Sequence, residues 1–291
     1  MTDIKRDRWD RPLIAPLRED GTPDLEVKPV PYTRVSKLAK ALDDLNQLMA
    51  WKARKTAEGL VRRPDILTLV SGALATGNPD TDWATKKALN EACEQAQEAA
   101  GSSRGSTAGT GFHSLTEAMD LGNEPAFVSE ADQARLDAYA YATRNVEWLD
   151  IECFVVNDIV TAAGTFDRLG RLPDGRVVVA DLKSGKSEAA YPFATTVQIA
   201  VYANGLRYNT ETGERTPLHE DLDLTTGLLI HLPPSGGCEL YELDLIRGWQ
   251  AAQLAVKVRE AQKWKAAELA TPVFFDEQDA TLTHNQEEQQ K

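Results

Sequence analysis

The run Val177-Val178-Val179-Ala180-Asp181-Leu182-Lys183 constrains the fold more than any other stretch of the 291-residue chain. Apolar residues that follow one another without polar alternation describe a strand buried on both faces, and such strands belong to sheets covered by helices on either side. The run therefore predicts an α/β protein with this strand inside the sheet. It ends in a carboxylate and an ammonium group two positions apart, which period-two geometry directs to the same face. One reading of Asp181 and Lys183 is a surface ion pair at a strand end. The other is a pair held over a scissile bond.

The neighbouring patterns extend this core. VEWLDIECFVV and IVTAAGTFDRL read as two strands before it, and the turn LPDGR connects the second to VVVADLK. A helix across about 193–208 follows, then the strands GLLIHL and CELYELDL, and a last helix over about 246–269. The fold class is α/β, a mixed central sheet flanked by helices, with an N-terminal helical extension.

Upstream, the first 30 residues are charged and hold four prolines, which predicts an extended arm. Val35, Leu38, Leu42, Leu45, Leu48 and Met49 fall at helical spacing, capped by Thr33 or Ser36 and stopped at Gly59. A further helix is expected at about 82–99. GSSRGSTAGTG, residues 101–111, reads as a flexible loop, followed by a short helix to about Asp120. A longer one opens at Ser129, with Asp132 three residues on. The glycines of 101–111 do not make a phosphate loop, because no Gly-Lys-Ser/Thr and no preceding strand accompany them. No ATP site is expected. The predicted divisions are 1–100, basic arm and helical region; 101–271, the core; and 272–291, a polar, disordered tail.

The net charge of -13 disfavours a polyanionic partner at first sight, but it is unevenly spread. Residues 1–64 carry 14 Lys and Arg against 10 Asp and Glu, leaving 18 against 35 for the remainder. A basic segment comprising Arg34, Lys37, Lys40, Lys52, Arg54 and Lys55 is thus a candidate DNA contact, beside a body whose carboxylates hold metal ions. Cys93, Cys153 and Cys238 are too few and too scattered for a disulfide framework or a four-thiolate metal site, and read as reduced thiols. No stretch approaches the ~20 apolar residues of a membrane span, so a cytoplasmic protein without membrane contact is expected.

An acidic residue, any residue, then Lys is a weak motif. The chain contains it at Asp3/Lys5, Glu26/Lys28 and Asp181/Lys183, of which only the last lies on a predicted strand. Asp167 reaches a similar level from the preceding strand. Carboxylates brought together repel, and a divalent cation relieves that repulsion; oxygen donors favour Mg2+ or Mn2+. His113 and Glu117 share a helix face four residues apart, as do Gln198 and Tyr202 on the helix after the third strand.

Gly109, His113 and Glu117, then Gly164 and Asp167, then Asp181 and Lys183, then Gln198 and Tyr202 form an ordered set. It resembles that of the RecB-like nucleases of the PD-(D/E)XK superfamily. The stretch YTRVSKLAKALDDLNQLMAWKARKTAEGL is also similar to the opening of exonucleases encoded by actinobacterial phages. The resemblance implies a restriction-endonuclease-like core and a metal-dependent DNA exonuclease of phage replication or recombination, working in the cytoplasm of a bacterial host. It implies His113, Asp167, Asp181 and the Leu182 carbonyl as metal ligands, with Glu117 supporting the histidine or a second ion. Lys183 would be the catalytic lysine, and Gln198 and Tyr202 would hold that lysine and the DNA backbone. The CRISPR-associated relatives carry four cysteines for an iron–sulfur cluster, and this chain has no such set. Unwinding would fall to a partner such as a phage helicase or recombinase. A DNA-end-binding accessory without turnover and a site-specific endonuclease are the alternatives.

Overall fold

The computed structural model describes residues 4–123, 127–186, 188–271 and 273, with the backbone alone for 104–108. The polar tail expected over 272–291 lies outside the described residues apart from Val273.

In the N-terminal arm, β1 (Leu13–Ile14) pairs antiparallel with β2 (Val30–Pro31), and β3 (Thr33–Arg34) runs straight into α1 (Val35–Ala39). A 3₁₀ turn at Lys40–Leu42 follows. Next come α2 (Asn46–Arg62), α3 (Pro64–Thr76) and α4 (Trp83–Ala99), which share a small core of Ile66, Ala92 and Ala96. After α5 (Arg104–Asp120) and α6 (Glu130–Thr143) the chain enters β4 (Glu147–Asn157), β5 (Ala162–Arg171) and β6 (Val177–Lys183). Then follow α7 (Phe193–Ala203), β7 (Leu206–Tyr208), β8 (Arg215–Thr216), β9 (Thr226–His231), β10 (Glu239–Asp244), α8 (Leu245–Ala261) and α9 (Ala266–Leu269).

The main sheet has the order β10-β9-β6-β5-β4-β7-β8, with β3 beside β5. β6 runs parallel to β9, and β3 to β5; the other pairs are antiparallel. Val177 and Val179 of β6 face a core built with α1, α7 and α8, while Val178, Ala180 and Leu182 face Phe112 of α5 and Leu136 and Tyr139 of α6. The central strand is therefore covered on both sides, as its unbroken apolar run requires.

Several expectations need correction. The segment 101–111 is not a flexible loop, since α5 begins at Arg104 and takes in most of it. Gly109 lets the helix lie close to the chain after β6, where a Cβ would stand 2.8 Å from Ser184 Oγ. Tertiary contact overrides the low helix propensity of glycine. The single helix expected from Val35 to Gly59 is broken at 43–45 into α1 and α2, and neither Thr33 nor Ser36 caps it. Gly59 lies inside α2 rather than ending it. There α2 presses on α4 so closely that a Cβ would fall 1.7 Å from the Ala96 carbonyl oxygen. The helix predicted to Tyr208 stops at Ala203 and its last residues become β7 on the edge of β4; the terminal helix ends at Ala261.

The arm is extended, as predicted, but docked. Ile14 is fully buried against Val156 and Ala163. Tyr32 Oη donates to Asp158 Oδ1 at 2.6 Å, and Arg215 donates to the same carboxylate at 2.9 and 3.1 Å. Arg215 also donates to the Ala15 carbonyl at 2.9 Å, while the Ala15 amide donates to Tyr208 Oη at 3.0 Å.

Candidate active site

The site forms where a strand pair comes apart. β5 pairs with β6 from Arg168↔Ala180 to Arg171↔Val177 and with β3 only at Ala162 and Ala163. On that edge, residues 164–167 have no strand partner among the described residues. Asp167 fills the gap with its side chain, whose Oδ2 accepts from the Leu182 amide at 2.7 Å. Backbone donors inside a fold must find an acceptor, and here a carboxylate supplies it. At the other end of the gap, a Cβ on Gly164 would stand 2.8 Å from Tyr202 Oη. Glycine makes room for the buried tyrosine.

β6 continues past the gap beside β9 and carries Asp181 and Lys183, which form an ion pair. Asp181 is fully buried and Lys183 is one quarter exposed. Gln198 Nε2, from α7, donates to Asp181 Oδ1 at 2.9 Å and also reaches the Tyr202 hydroxyl. From the opposite side of the sheet, α5 brings His113 Nδ1 to 3.5 Å from Asp167 Oδ2, and the ring makes a hydrogen bond with the Leu182 backbone.

Burial raises the pKa of Asp181 and of Asp167, against the pull of the Lys183 ammonium. Burial opposes the charge on Lys183, but Asp181 and Asp167 outweigh it and its pKa is raised, so it stays an ammonium at neutral pH. Burial lowers His113 and favours the neutral ring. The same residues thus provide a neutral imidazole, a fixed positive charge and carboxylates whose ionisation is resisted by their surroundings.

A further carboxylate belongs to this cluster. Glu152 lies on β4, where the register with β5 shifts between Trp148 and Asp150, and its φ is 54°. Burial and the charges of Asp167 and Glu117 push it up to about 7. In the sequence, its one visible signal is an acid breaking the apolar run of DIECFVV.

Among the described residues, no three His, Cys, Asp or Glu side chains are gathered closely enough to hold an ion as they stand. The donor chemistry nevertheless fits a hard divalent cation. Asp181 Oδ2 is buried and is bonded to the Lys183 ammonium, leaving an anionic oxygen with cationic contact alone.

The expected basic segment is divided by the break at 43–45. Lys37 and Lys40 lie in α1 and the 3₁₀ turn, beside α7, whereas Lys52, Arg54 and Lys55 lie on α2 in the helical group. Arg34 is paired with Asp10, and Lys55 with Glu58 at 2.7 Å. No helix among the described residues is long and apolar enough to cross a membrane.

Comparison with known proteins gives a match to the model of the PD-(D/E)XK nuclease superfamily over residues 65–279. No curated protein matches. Among solved structures, the chain is similar to one described as "Crystal structure of SSO0001", at 16% identity and a TM-score of 0.25. That likeness covers 50% of this chain and 59% of the other, less than two thirds of its length.

Proposed function

The chain belongs to the PD-(D/E)XK nuclease superfamily, whose model matches residues 65–279, and from that premise we propose that it is a metal-dependent exonuclease hydrolysing DNA from ends in phage replication or recombination. The observation that carries this reading is the buried Asp181 carboxylate, held by Gln198 on one oxygen and facing only the Lys183 ammonium on the other.

Asp181, Asp167, His113, Glu117 and the Leu182 carbonyl are the residues that would hold the ion. A bound Mg2+ or Mn2+ supplies charge to a phosphoryl oxygen and lowers the pKa of water. Lys183 contributes a fixed cation at the mouth of the site, where it orients water or offsets negative charge developing on phosphorus oxygens. Gln198 fixes the rotamer of Asp181, and Tyr202 fills the gap beside Gly164. His113, neutral through burial, offers a lone pair rather than a competing charge.

End-directed cutting is supported by the absence in the sequence of any motif for reading base edges. The test uses equal lengths of end-labelled linear DNA and covalently closed circles, single- and double-stranded, with Mg2+ or Mn2+. Linear molecules should be degraded and circles should survive. Rapid conversion of circles into discrete fragments would instead establish an endonuclease. Binding of ends without any product would establish an accessory protein.

A further inference from the structure

Arg168, next to Asp167 on β5, is the largest of the fully buried side chains, at 1% exposure. A buried charge is tolerated only where its hydrogen-bonding groups are satisfied, and its partners belong to different parts of the site. Its Nε donates to Asp120 Oδ2 at 2.6 Å, and Tyr139 Oη of α6 donates to the same oxygen at 2.6 Å. One terminal nitrogen donates to Thr116 Oγ1 at 3.3 Å, and Thr116 Oγ1 donates in turn to the His113 carbonyl at 2.9 Å. The other terminal nitrogen donates to the Asp167 carbonyl at 2.9 Å and stands 3.9 Å from Glu152 Oε1.

One guanidinium therefore joins α5, through Asp120 and Thr116, to β5 and β4. α5 carries His113 and Glu117; β5 carries Asp167; β4 carries Glu152. We propose that Arg168, paired with Asp120, is a positioning residue for the hydrolytic site: it sets the height of α5 over β5, so that His113 and Glu117 meet Asp167. It also supplies an internal cation among carboxylates that would otherwise repel one another. The planar fork is what the geometry demands, because three acceptors in three directions are served from one rigid group. A lysine in its place keeps the charge and loses that pattern.

The proposal rests on the nuclease reading above, and the experiment separates the two. Full-length Arg168→Lys and the double variant Arg168→Met/Asp120→Leu are compared with wild type for melting temperature, Mn2+ affinity by calorimetry, and kcat and KM on linear DNA. Removing both members of a buried ion pair often spares stability, whereas removing one does not. Both variants should lose ~10-fold or more in kcat with KM changed by less than about 2-fold, the scale of misplacing a reacting group, and both should bind Mn2+ several-fold more weakly. A double variant that melts like wild type and keeps wild-type kcat and Mn2+ affinity overturns the proposal, leaving the pair a packing element. If the double variant does not fold, Arg168→Lys decides alone, and wild-type kcat and Mn2+ affinity in it overturn the proposal. A rise in KM with kcat unaltered also overturns it, because that marks a substrate contact. Lys183→Ala is run alongside. Normal cutting by that variant refutes the nuclease site, while the Mn2+ titrations of the Arg168 variants still report on positioning.

Discussion

The side chain of Asp167 accepts a hydrogen bond from the backbone amide of Leu182, 2.7 Å away, at the level where their two strands have ceased to pair. The interaction fixes one carboxylate oxygen within the sheet. Asp181, by contrast, turns one oxygen to the Lys183 ammonium and to no backbone donor. The two acids at the centre of the cluster are thus differently committed.

This difference separates the effects of substitution. Asp181→Asn should lower both Mn2+ affinity and turnover, because it removes the charge that faces the cation. Lys183→Ala should leave Mn2+ binding intact or slightly tighter while hydrolysis falls ~100-fold or more, the scale of losing one acid/base or electrostatic group. Calorimetric titration beside a turnover assay distinguishes them. Normal cutting by Lys183→Ala would leave the strand-end pair a buried structural ion pair without a part in hydrolysis.

The close approach at Gly164 predicts a coupled pair. Gly164→Ala places a methyl group 2.8 Å from Tyr202 Oη and should destabilise the protein by about 1–3 kcal/mol, the usual cost of overpacking. Tyr202→Phe removes the obstructing hydroxyl, so the double variant should be more stable than the sum of the single effects allows. Strict additivity in urea denaturation would show that the clash is relieved by other means.

Stability should depend on pH through Glu152, whose pKa is pushed up to about 7. Because the folded value exceeds that of the unfolded chain, the native state holds the proton longer between about pH 4.5 and 7, and stability falls as pH rises through this window. Glu152→Gln removes the effect. In chelator, the variant should be more stable than wild type at pH 8 by up to ~3 kcal/mol, and the two should converge towards pH 4.5. Parallel melting curves across that range would remove Glu152 from the carboxylate cluster.

The divided basic segment can be tested half by half. Neutralising Lys37 with Lys40, or Lys52 with Arg54, should weaken DNA binding equally across sequences and flatten the salt slope by roughly one to two units if those side chains meet phosphates. A slope altered by the first pair alone would assign contact to α1 and the 3₁₀ turn and leave the α2 charges in solvent.

The parts legible in sequence are those fixed locally. β6 was readable to the residue because an unbroken apolar run has one compatible environment, and Ser129 and Asp132 marked the start of α6 through a cap that the structure retains at 3.1 Å. Helical periodicity concealed the break between α1 and α2, since apolar spacing continues across it while the two halves pack on different partners. The glycines before His113 suggest a loop because the contact of Gly109 with the chain beyond β6 is invisible in a local window. Glu152 and Arg168 are not singled out by the sequence for a related reason. Each is a single charge in a strand, and only the folded arrangement shows that it is buried among other charges rather than facing water.

The docking of the N-terminal arm also orders events during synthesis. Ala15 is held by Arg215, which the ribosome adds 200 residues later. At about 5–20 residues per second, the arm waits ~10–40 s for the groups that retain it. Until β7 and β8 have been made, Ile14 has no completed place against the sheet, and a segment made before the sheet is secured only after it.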